Sequence, residues 1–386
     1  MKVNKLLEKQ IKEIEKDVIK WRRYFHMYPE LGFEEYKTSE KIQEILKEIG
    51  INYEVKAKTG VVGYINKNFS KTIGIRADID ALPIEEQTGL EFCSKNKGIM
   101  HACGHDGHTA TLLGVGFILT KFIDFLNYNV KLIFQPCEEK PPGGASELIK
   151  QGVLDDVNFL IGFHFISDIP LNKIYIEKGT IMANTDRFKI IIEGKGGHGS
   201  APDTTNDPIV CSSYMISSLQ TILSRRISPY EPAVISVCKI KGGYAFNVIP
   251  DIVEIEGTVR TLSEKIRMKI KNEMKNICKK IASSFKCKIK FFYDCYSPSV
   301  KNDSKLTEAI EKTSKEILPL KYFYKYHPSM GGEDFAFYGK IVPSTYIFIG
   351  CGKKTGLHHN SKFNLDERVL SFSIKYLSNL ILNLKI

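Results

Sequence analysis

The sequence has no apolar run long enough to span a bilayer, which argues against a membrane-spanning helix and a membrane partner. It also has no disulfide framework. Its nine cysteines (Cys93, Cys103, Cys137, Cys211, Cys238, Cys278, Cys287, Cys295 and Cys351) are odd in number and irregularly spaced, so reduced thiols are expected. Most fit as small core hydrophobes, and only Cys103 has histidine neighbours. There is no internal repeat, no low-complexity linker, and no helix-turn-helix, zinc-finger or RNA-binding signature. The net charge of +11 is spread along the chain with lysines among glutamates, so it reads as a solvated surface and not as a nucleic-acid footprint. Residues 1–20 form a Lys/Glu-rich amphipathic pattern without a signal-peptide core, and a cytoplasmic protein is expected. At 386 residues the chain is long for one core, so two domains are the default.

What is present is a dense cluster of coordinating side chains. His101-Ala102-Cys103-Gly104-His105-Asp106-Gly107-His108 holds three imidazoles, a thiol and a carboxylate, with an apolar run starting at Thr109. Taken alone, such a tract is more often a chance surface cluster or an adventitious metal site than an active site. The rest of the chain supplies further donors in related places.

The spacing predicts helices over 6–24 and 37–49, with a loop over 26–36 that carries His26. Strands are expected at 61–65 and 71–77, the second running into Arg76-Ala77-Asp78-Ile79-Asp80 and a Pro stop at Pro83. Carboxylates just past an apolar strand lie at its C-terminal end, where open α/β sheets bind ligands, and Asp78 is counted among the candidate catalytic residues. The same order recurs at 130–135, followed by Glu138-Glu139 and a turn over 141–144, and at 157–163, ending in His164. Helices over 109–126 and 145–151 alternate with these strands, so a mostly parallel sheet is expected. From residue 185 the pattern becomes strand 188–193, helix 208–224, strands 233–240 and 252–261, helix 264–285 and strand 288–293. That β-α-β-β-α-β order is ferredoxin-like. The expected organisation is an α/β domain over 1–184 and 298–386, with a ferredoxin-like α+β domain over 185–297 inserted in it. After the insertion come a helix over 303–317, a strand over 345–350, the pair His358-His359 and a helix over 366–384.

Cys103, His105, Glu139, His164 and His359 form a mixed sulfur, nitrogen and oxygen donor set suited to zinc or a similar divalent ion. Five ligands exceed one tetrahedral catalytic site, so two metals are the simpler reading, and the chemistry that follows is hydrolysis. In an extended segment neighbouring side chains diverge, so Glu139 can bind metal while Glu138 acts as the base. The alternative is a solvated acidic pair at a turn. His198, in a glycine-rich loop, is either an oxyanion donor or an exposed turn residue. Asn247 and Arg260 are polar candidates for gripping a substrate carboxylate, with structural roles as the alternative.

The blocks YPELGFEE, RADIDALP, HACGHDGHTA, FQPCEE, GGHGSAP, NVIPD, GTVR, GGEDF and HHNSKF run in this order over nearly the whole chain. Together they resemble the M20 metallopeptidase and amidohydrolase family, in the branch of aminoacylase/hippurate hydrolases, auxin-conjugate amidohydrolases and thermostable carboxypeptidases. The resemblance implies a split catalytic domain carrying a dimerising lid. It also implies two metals at Cys103, His105, Glu139, His164 and His359, Glu138 as general base, and His198 reaching the partner subunit's site. Three features depart from the wider family: Arg76 stands where a metal-binding His is common, Cys103 stands for an Asp, and Lys140-Pro141-Pro142 replaces a small or glycine-rich stretch. In the last block spacing to Phe363 favours His359 over His358. The expected activity is metal-dependent hydrolysis of an amide bond beside a free carboxylate, releasing an amino acid from an N-acyl-amino acid or a short peptide's C-terminus. A strict small-acyl deacylase, of N-acetyl-amino acids or hippurate, is the alternative. A non-catalytic metal- or nucleic-acid-binding protein is the remote one. The thiolate favours zinc, and manganese or cobalt would also fit.

Overall fold

The computed structural model describes residues 2–141, 143–352 and 356–386. Pro142, in the expected 141–144 turn, lies outside the described residues. The chain divides into two compact units, one of residues 1–179, 301–327 and 334–386, the other of residues 180–300 and 328–333.

The first unit is built on a seven-stranded sheet in the order Asn52–Lys56, Gly60–Ile65, Asn129–Gln135, Thr72–Asp78, Phe159–Ile166, Ser344–Gly350, Ile174–Tyr175. Its four central strands, 129–135, 72–78, 159–166 and 344–350, run parallel, and the flanking pairings are antiparallel. Strands 72–78 and 344–350 are buried along their whole length, as expected of parallel strands covered on both faces. Helices Lys2–Met27, His105–Lys121 and Arg368–Asn383 pack against one another. The first presents Leu7, Ile11, Ile14, Val18 and Phe25 to the core at helical spacing. The second has the apolar residues for burial on nearly every side, Leu112, Leu113, Val115, Ile118 and Leu119 among them. Because the central strands are parallel, their C-terminal ends share one edge, and Asp78, Glu138, Glu139 and His164 come from three of them.

Several boundaries differ from the sequence expectation in ways that move site residues. The first helix runs to Met27, so His26 is a fully buried helical residue and not part of a loop. The helix expected from residue 109 starts at His105, because Gly104 at φ 89° makes the turn that begins it. Strand 159–166 continues two residues past His164, which therefore lies within the ladder and not at its end. The edge strand Asn52–Lys56 escaped notice because it is largely exposed and carries no apolar run.

The second unit contains the antiparallel sheet Ala233–Gly242, Ile252–Thr261, Asn184–Glu193, Lys288–Ser297, with helices Pro208–Arg225 and Glu264–Ser284. Strand 184–193 alternates buried with less buried positions, and Phe188, Ile190 and Ile192 pack with Met215, Leu219 and Ile222 of one helix and Ile270 and Met274 of the other. Asp207 caps the first of these helices, accepting from the Ile209 amide at 2.8 Å. Residues 328–333 were expected in the first domain but group with this unit. The Ser329 amide donates to the Ile181 carbonyl at 2.8 Å, and the Ala183 amide to the Gly331 carbonyl at 3.0 Å.

Gly162, in the middle of the 159–166 strand, leaves no room for a side chain: a Cβ there would sit 2.4 Å from Tyr346 Cδ2 and 2.6 Å from Phe335 Cε2. Gly162→Ala is expected to destabilise the protein by about 1–3 kcal/mol through overpacking. Urea unfolding followed by circular dichroism measures it, and an unchanged midpoint would contradict the packing described.

Candidate metal centre

The 105–121 helix brings His105 and His108 onto neighbouring positions of one face, three residues apart, while Asp106 between them faces elsewhere. Asp106 is held from behind: its Oδ2 accepts from Arg22 Nε at 2.8 Å and lies 2.8 Å from His26 Nδ1. His26 Nε2 is 3.1 Å from Glu86 Oε1, and Arg22 Nη2 donates to Asn364 at 2.7 Å. Burial opposes ionisation of Asp106, but Arg22 and His26 outweigh it and hold its carboxyl far below the usual range. The first turn of the 105–121 helix is thus fastened to the first helix of the chain.

Cys103, His105 and Glu139 each place a donor atom within 4.8 Å of the other two. His105 Nδ1 donates to the Asp80 carbonyl at 2.9 Å, which in the neutral ring leaves Nε2 with a lone pair. That Nε2 is buried without a hydrogen-bond partner, and so is Glu139 Oε1, 3.9 Å away. His359 Nε2 lies 3.3 Å from the same Glu139 oxygen. His164 donates from Nδ1 to the Phe165 carbonyl at 2.6 Å and turns Nε2 to Cys103 Sγ at 3.4 Å. Metal–ligand bonds of about 2.0–2.3 Å in a tetrahedron separate donors by roughly 3.3–3.7 Å, and the separations here are 3.3, 3.4 and 3.9 Å. Two buried donors aimed at one space without a partner are costly unless a cation joins them. The residues present therefore fit a metal.

The electrostatics agree. Burial pushes the Cys103 thiol well above its usual pKa, helped by Glu139, Glu138 and Asp78. For His105, burial opposes the charged form, but Asp78, Asp80 and Glu139 outweigh it and raise the pKa to about 10. The neighbouring carboxylates Asp78 and Glu139 raise both values, and a cation would offset their charge.

Asp78, His105, His108 and His164 form a second close group, but two of its members are already engaged. His108 Nδ1 bonds Asp78 Oδ1 at 2.6 Å and its Nε2 accepts from the Phe165 amide at 2.9 Å, so neither nitrogen is left for a metal. Burial pushes the His108 pKa down to about 3. Asp78 is also tied to Arg76 Nη1 at 2.7 Å, while Arg76 Nη2 reaches Asp334 Oδ1 at 2.9 Å. Gln135 Nε2 bonds both oxygens of Asp334, at 2.7 and 2.8 Å. Arg76 therefore takes the role of a buried counter-charge. A carboxylate oxygen of Glu138 lies within 4.8 Å of one of Asp334. His358 Nε2 accepts from the Ser167 amide at 3.2 Å, and its Nδ1 is buried without a hydrogen-bond partner. His101 is buried with neither ring nitrogen bonded, and burial pushes its pKa down to about 4.

In the second unit His198 is exposed, its Nδ1 2.7 Å from Ser200 Oγ. It pairs in register with Val248, and the Gly199 amide donates to the Asn247 carbonyl at 2.8 Å, so His198 and Asn247 are neighbours. Arg260 is not with them. It bonds Thr258 Oγ1 and the Val259 carbonyl near the far end of strand 252–261. The length of strand from Ile252 to Arg260 is roughly 26 Å. Within one chain, Asn247 thus precedes the start of the strand whose far end carries Arg260. The sequence also gave no sign of the roles of Arg22 and Asp80, whose partners are remote in the chain.

Asp106→Asn should cost about 3–5 kcal/mol of stability at neutral pH, because it leaves Arg22 buried with a weakened partner. Asp106 has a depressed folded-state pKa, so its contribution is present above the unfolded value near 4 and is lost as pH falls below it. The gap between wild type and variant in urea midpoints should therefore narrow below about pH 4, and a gap that does not change with pH would contradict this.

Comparison with known proteins places this geometry. The family model for peptidase family M20/M25/M40 matches residues 74–383. The chain is 42% identical over 374 residues to thermostable carboxypeptidase 1 of Saccharolobus solfataricus, covering 94% of each. It is 42% identical to the N-acetyl-L-cysteine deacetylase of Bacillus subtilis, covering 92% of this chain and 85% of that one. The crystal structure of a dinuclear metal-binding peptidase of the M20 family from Bacillus subtilis superposes with a TM-score of 0.85 at 36% identity, over 96% of this chain and 98% of the other. The chain belongs to peptidase family M20/M25/M40 and is a hydrolase of amide or peptide bonds.

Proposed function

We propose that the chain holds two divalent ions, zinc by preference, through Cys103, His105, Glu139, His164 and His359, and hydrolyses an amide bond next to a free carboxylate. The observation that carries this is the pair of buried donors, His105 Nε2 and Glu139 Oε1, that make no hydrogen bond, with His359 Nε2 3.3 Å from the same Glu139 oxygen and Glu138 as the adjacent residue in the chain. Bound there, the ions supply Lewis acidity toward the scissile carbonyl and acidify water at neutral pH. The chain's own residues do the rest. Glu138 accepts the proton of the attacking water and delivers it to the leaving amine nitrogen. Asp78, fixed between Arg76 and His108, adds negative charge beside His105 and acts without touching substrate. The lid histidine His198 donates to the developing oxyanion.

The separation of Arg260 from His198 and Asn247 favours a site completed by two copies of the chain, as a homodimer. One copy supplies Arg260, whose guanidinium fork suits a carboxylate, and its partner copy supplies the His198 and Asn247 positions. The unit of residues 180–300 then serves as lid and dimerisation domain. The substrate is an N-acyl-amino acid or a short peptide cleaved at its C-terminal residue. A relative named as a carboxypeptidase and one named as a deacetylase are equally identical to the chain, so a strict small-acyl deacylase is the second reading. No helix among the described residues is long and apolar enough to cross a membrane, and we place the enzyme in the cytoplasm.

Glu138→Ala is expected to lower kcat by about 10²–10⁴-fold with two ions per chain retained. The assay is hydrolysis of benzyloxycarbonyl-amino acids, benzyloxycarbonyl-dipeptides, N-acetyl-amino acids and hippurate, with metal content measured on the same samples. An active Glu138→Ala protein would remove the base assignment, and the ranking of the panel separates peptidase from deacylase. Arg260→Ala should raise KM for these substrates, and an unchanged KM would remove Arg260 from the carboxylate site.

A further inference from the structure

The segment that carries Glu138 and Glu139 leaves the sheet through Cys137, whose φ of 51° is left-handed and unfavourable for a residue with a side chain. A conformation of that kind persists only where its surroundings hold it. Two buried carboxylates do so, each on an alternate amide of the segment. Glu35 Oε1 accepts from the Cys137 amide at 2.8 Å, and Asp80 Oδ2 accepts from the Glu139 amide at 2.9 Å. Glu35 is itself anchored, its Oε2 accepting from Thr59 Oγ1 at 2.6 Å, and it is fully buried. The packing is close on the other side too: the Gly144 amide donates to the Cys137 carbonyl at 2.7 Å, and a Cβ on Gly32 would meet Cys137 Sγ at 2.6 Å.

We propose that Glu35 is a positioning residue for the Glu138–Glu139 pair, fixing the direction of base and ligand through the Cys137 peptide. It touches neither substrate nor metal, and its effect passes through the backbone. The inference rests on the assignment of Glu138 and Glu139 made above. Glu35 is better suited to this task than to carrying charge. Burial pushes its pKa up to about 7, with the Thr59 hydroxyl and the backbone amides opposing and Asp80 reinforcing the rise. A neutral side chain of the same shape should therefore serve. The amide oxygen of a glutamine can accept from the Cys137 amide while its NH₂ donates to Thr59.

The test compares Glu35→Ala and Glu35→Gln in the full-length protein, with two readouts. In metal-loaded protein, Glu35→Ala should lower kcat by about 10–100-fold with KM changed by less than about two-fold, since a displaced base affects the chemical step more than binding. In metal-free protein, amide hydrogen exchange of the peptide containing Cys137 should be faster in Glu35→Ala than in wild type. Glu35→Gln should restore both readouts. If Glu35→Ala does not fold, Thr59→Val, which removes the outer anchor, should give the same changes in weaker form. Wild-type kcat and exchange in Glu35→Ala would overturn the proposal, as would a Glu35→Gln protein as impaired as Glu35→Ala. The exchange readout needs no substrate or metal, so a wild type that cleaves nothing on the panel counts against the proposed function and leaves this inference to be judged by exchange.

Discussion

An imidazole nitrogen, His105 Nε2, and a carboxylate oxygen, Glu139 Oε1, are buried 3.9 Å apart, and neither has a hydrogen-bond partner. A folded chain tolerates such a pair only if something else satisfies it, because each unpaired buried polar group costs on the order of 1–3 kcal/mol. The carboxylates around Cys103 and His105 add a surplus of negative charge that a cation neutralises. The rest of the first unit can be read as the apparatus that keeps these donors in place when the ion is absent.

That apparatus is layered. Asp80 joins two of the donors, taking the His105 Nδ1 proton on its carbonyl and the Glu139 amide on its carboxylate. Behind the helix start, Arg22 and His26 fasten Asp106 and with it the turn that carries His105. On the sheet side, Arg76 balances Asp78 and Asp334, so the charge that faces the metal space is shared with a guanidinium and does not accumulate unopposed. The sheet topology makes the arrangement possible, since parallel strands deliver Asp78, the Glu138–Glu139 segment and His164 to one edge.

Much of this was legible in the sequence because the donors sit at or near the ends of strands. Apolar runs followed by Asp78 and by Glu138-Glu139 mark one edge, and His164 lies two residues short of the end of its own strand. The preference for His359 over His358 rested on spacing to Phe363 alone; in the structure His359 Nε2 lies 3.3 Å from Glu139 Oε1 and His358 Nε2 accepts from the Ser167 amide. The supporting residues were not legible, and the reason is sequence separation. Glu35 acts on an amide 102 residues away, and Arg22 on a carboxylate 84 residues away, so no local pattern links them. The separation of Asn247 and Arg260 was not legible for a related reason. Chemistry alone made them equivalent, and only the strand between them sets their distance.

The central claim is that Cys103, His105, Glu139, His164 and His359 together form a site for two divalent ions, with the Cys103 thiolate as a ligand. Titration of metal-free protein with cobalt(II), followed by near-ultraviolet thiolate charge-transfer absorption, tests it most directly. The account predicts saturation at two equivalents per chain and a charge-transfer band that is absent from Cys103→Ser. Saturation at one equivalent, or two bound ions with no thiolate band, would contradict it.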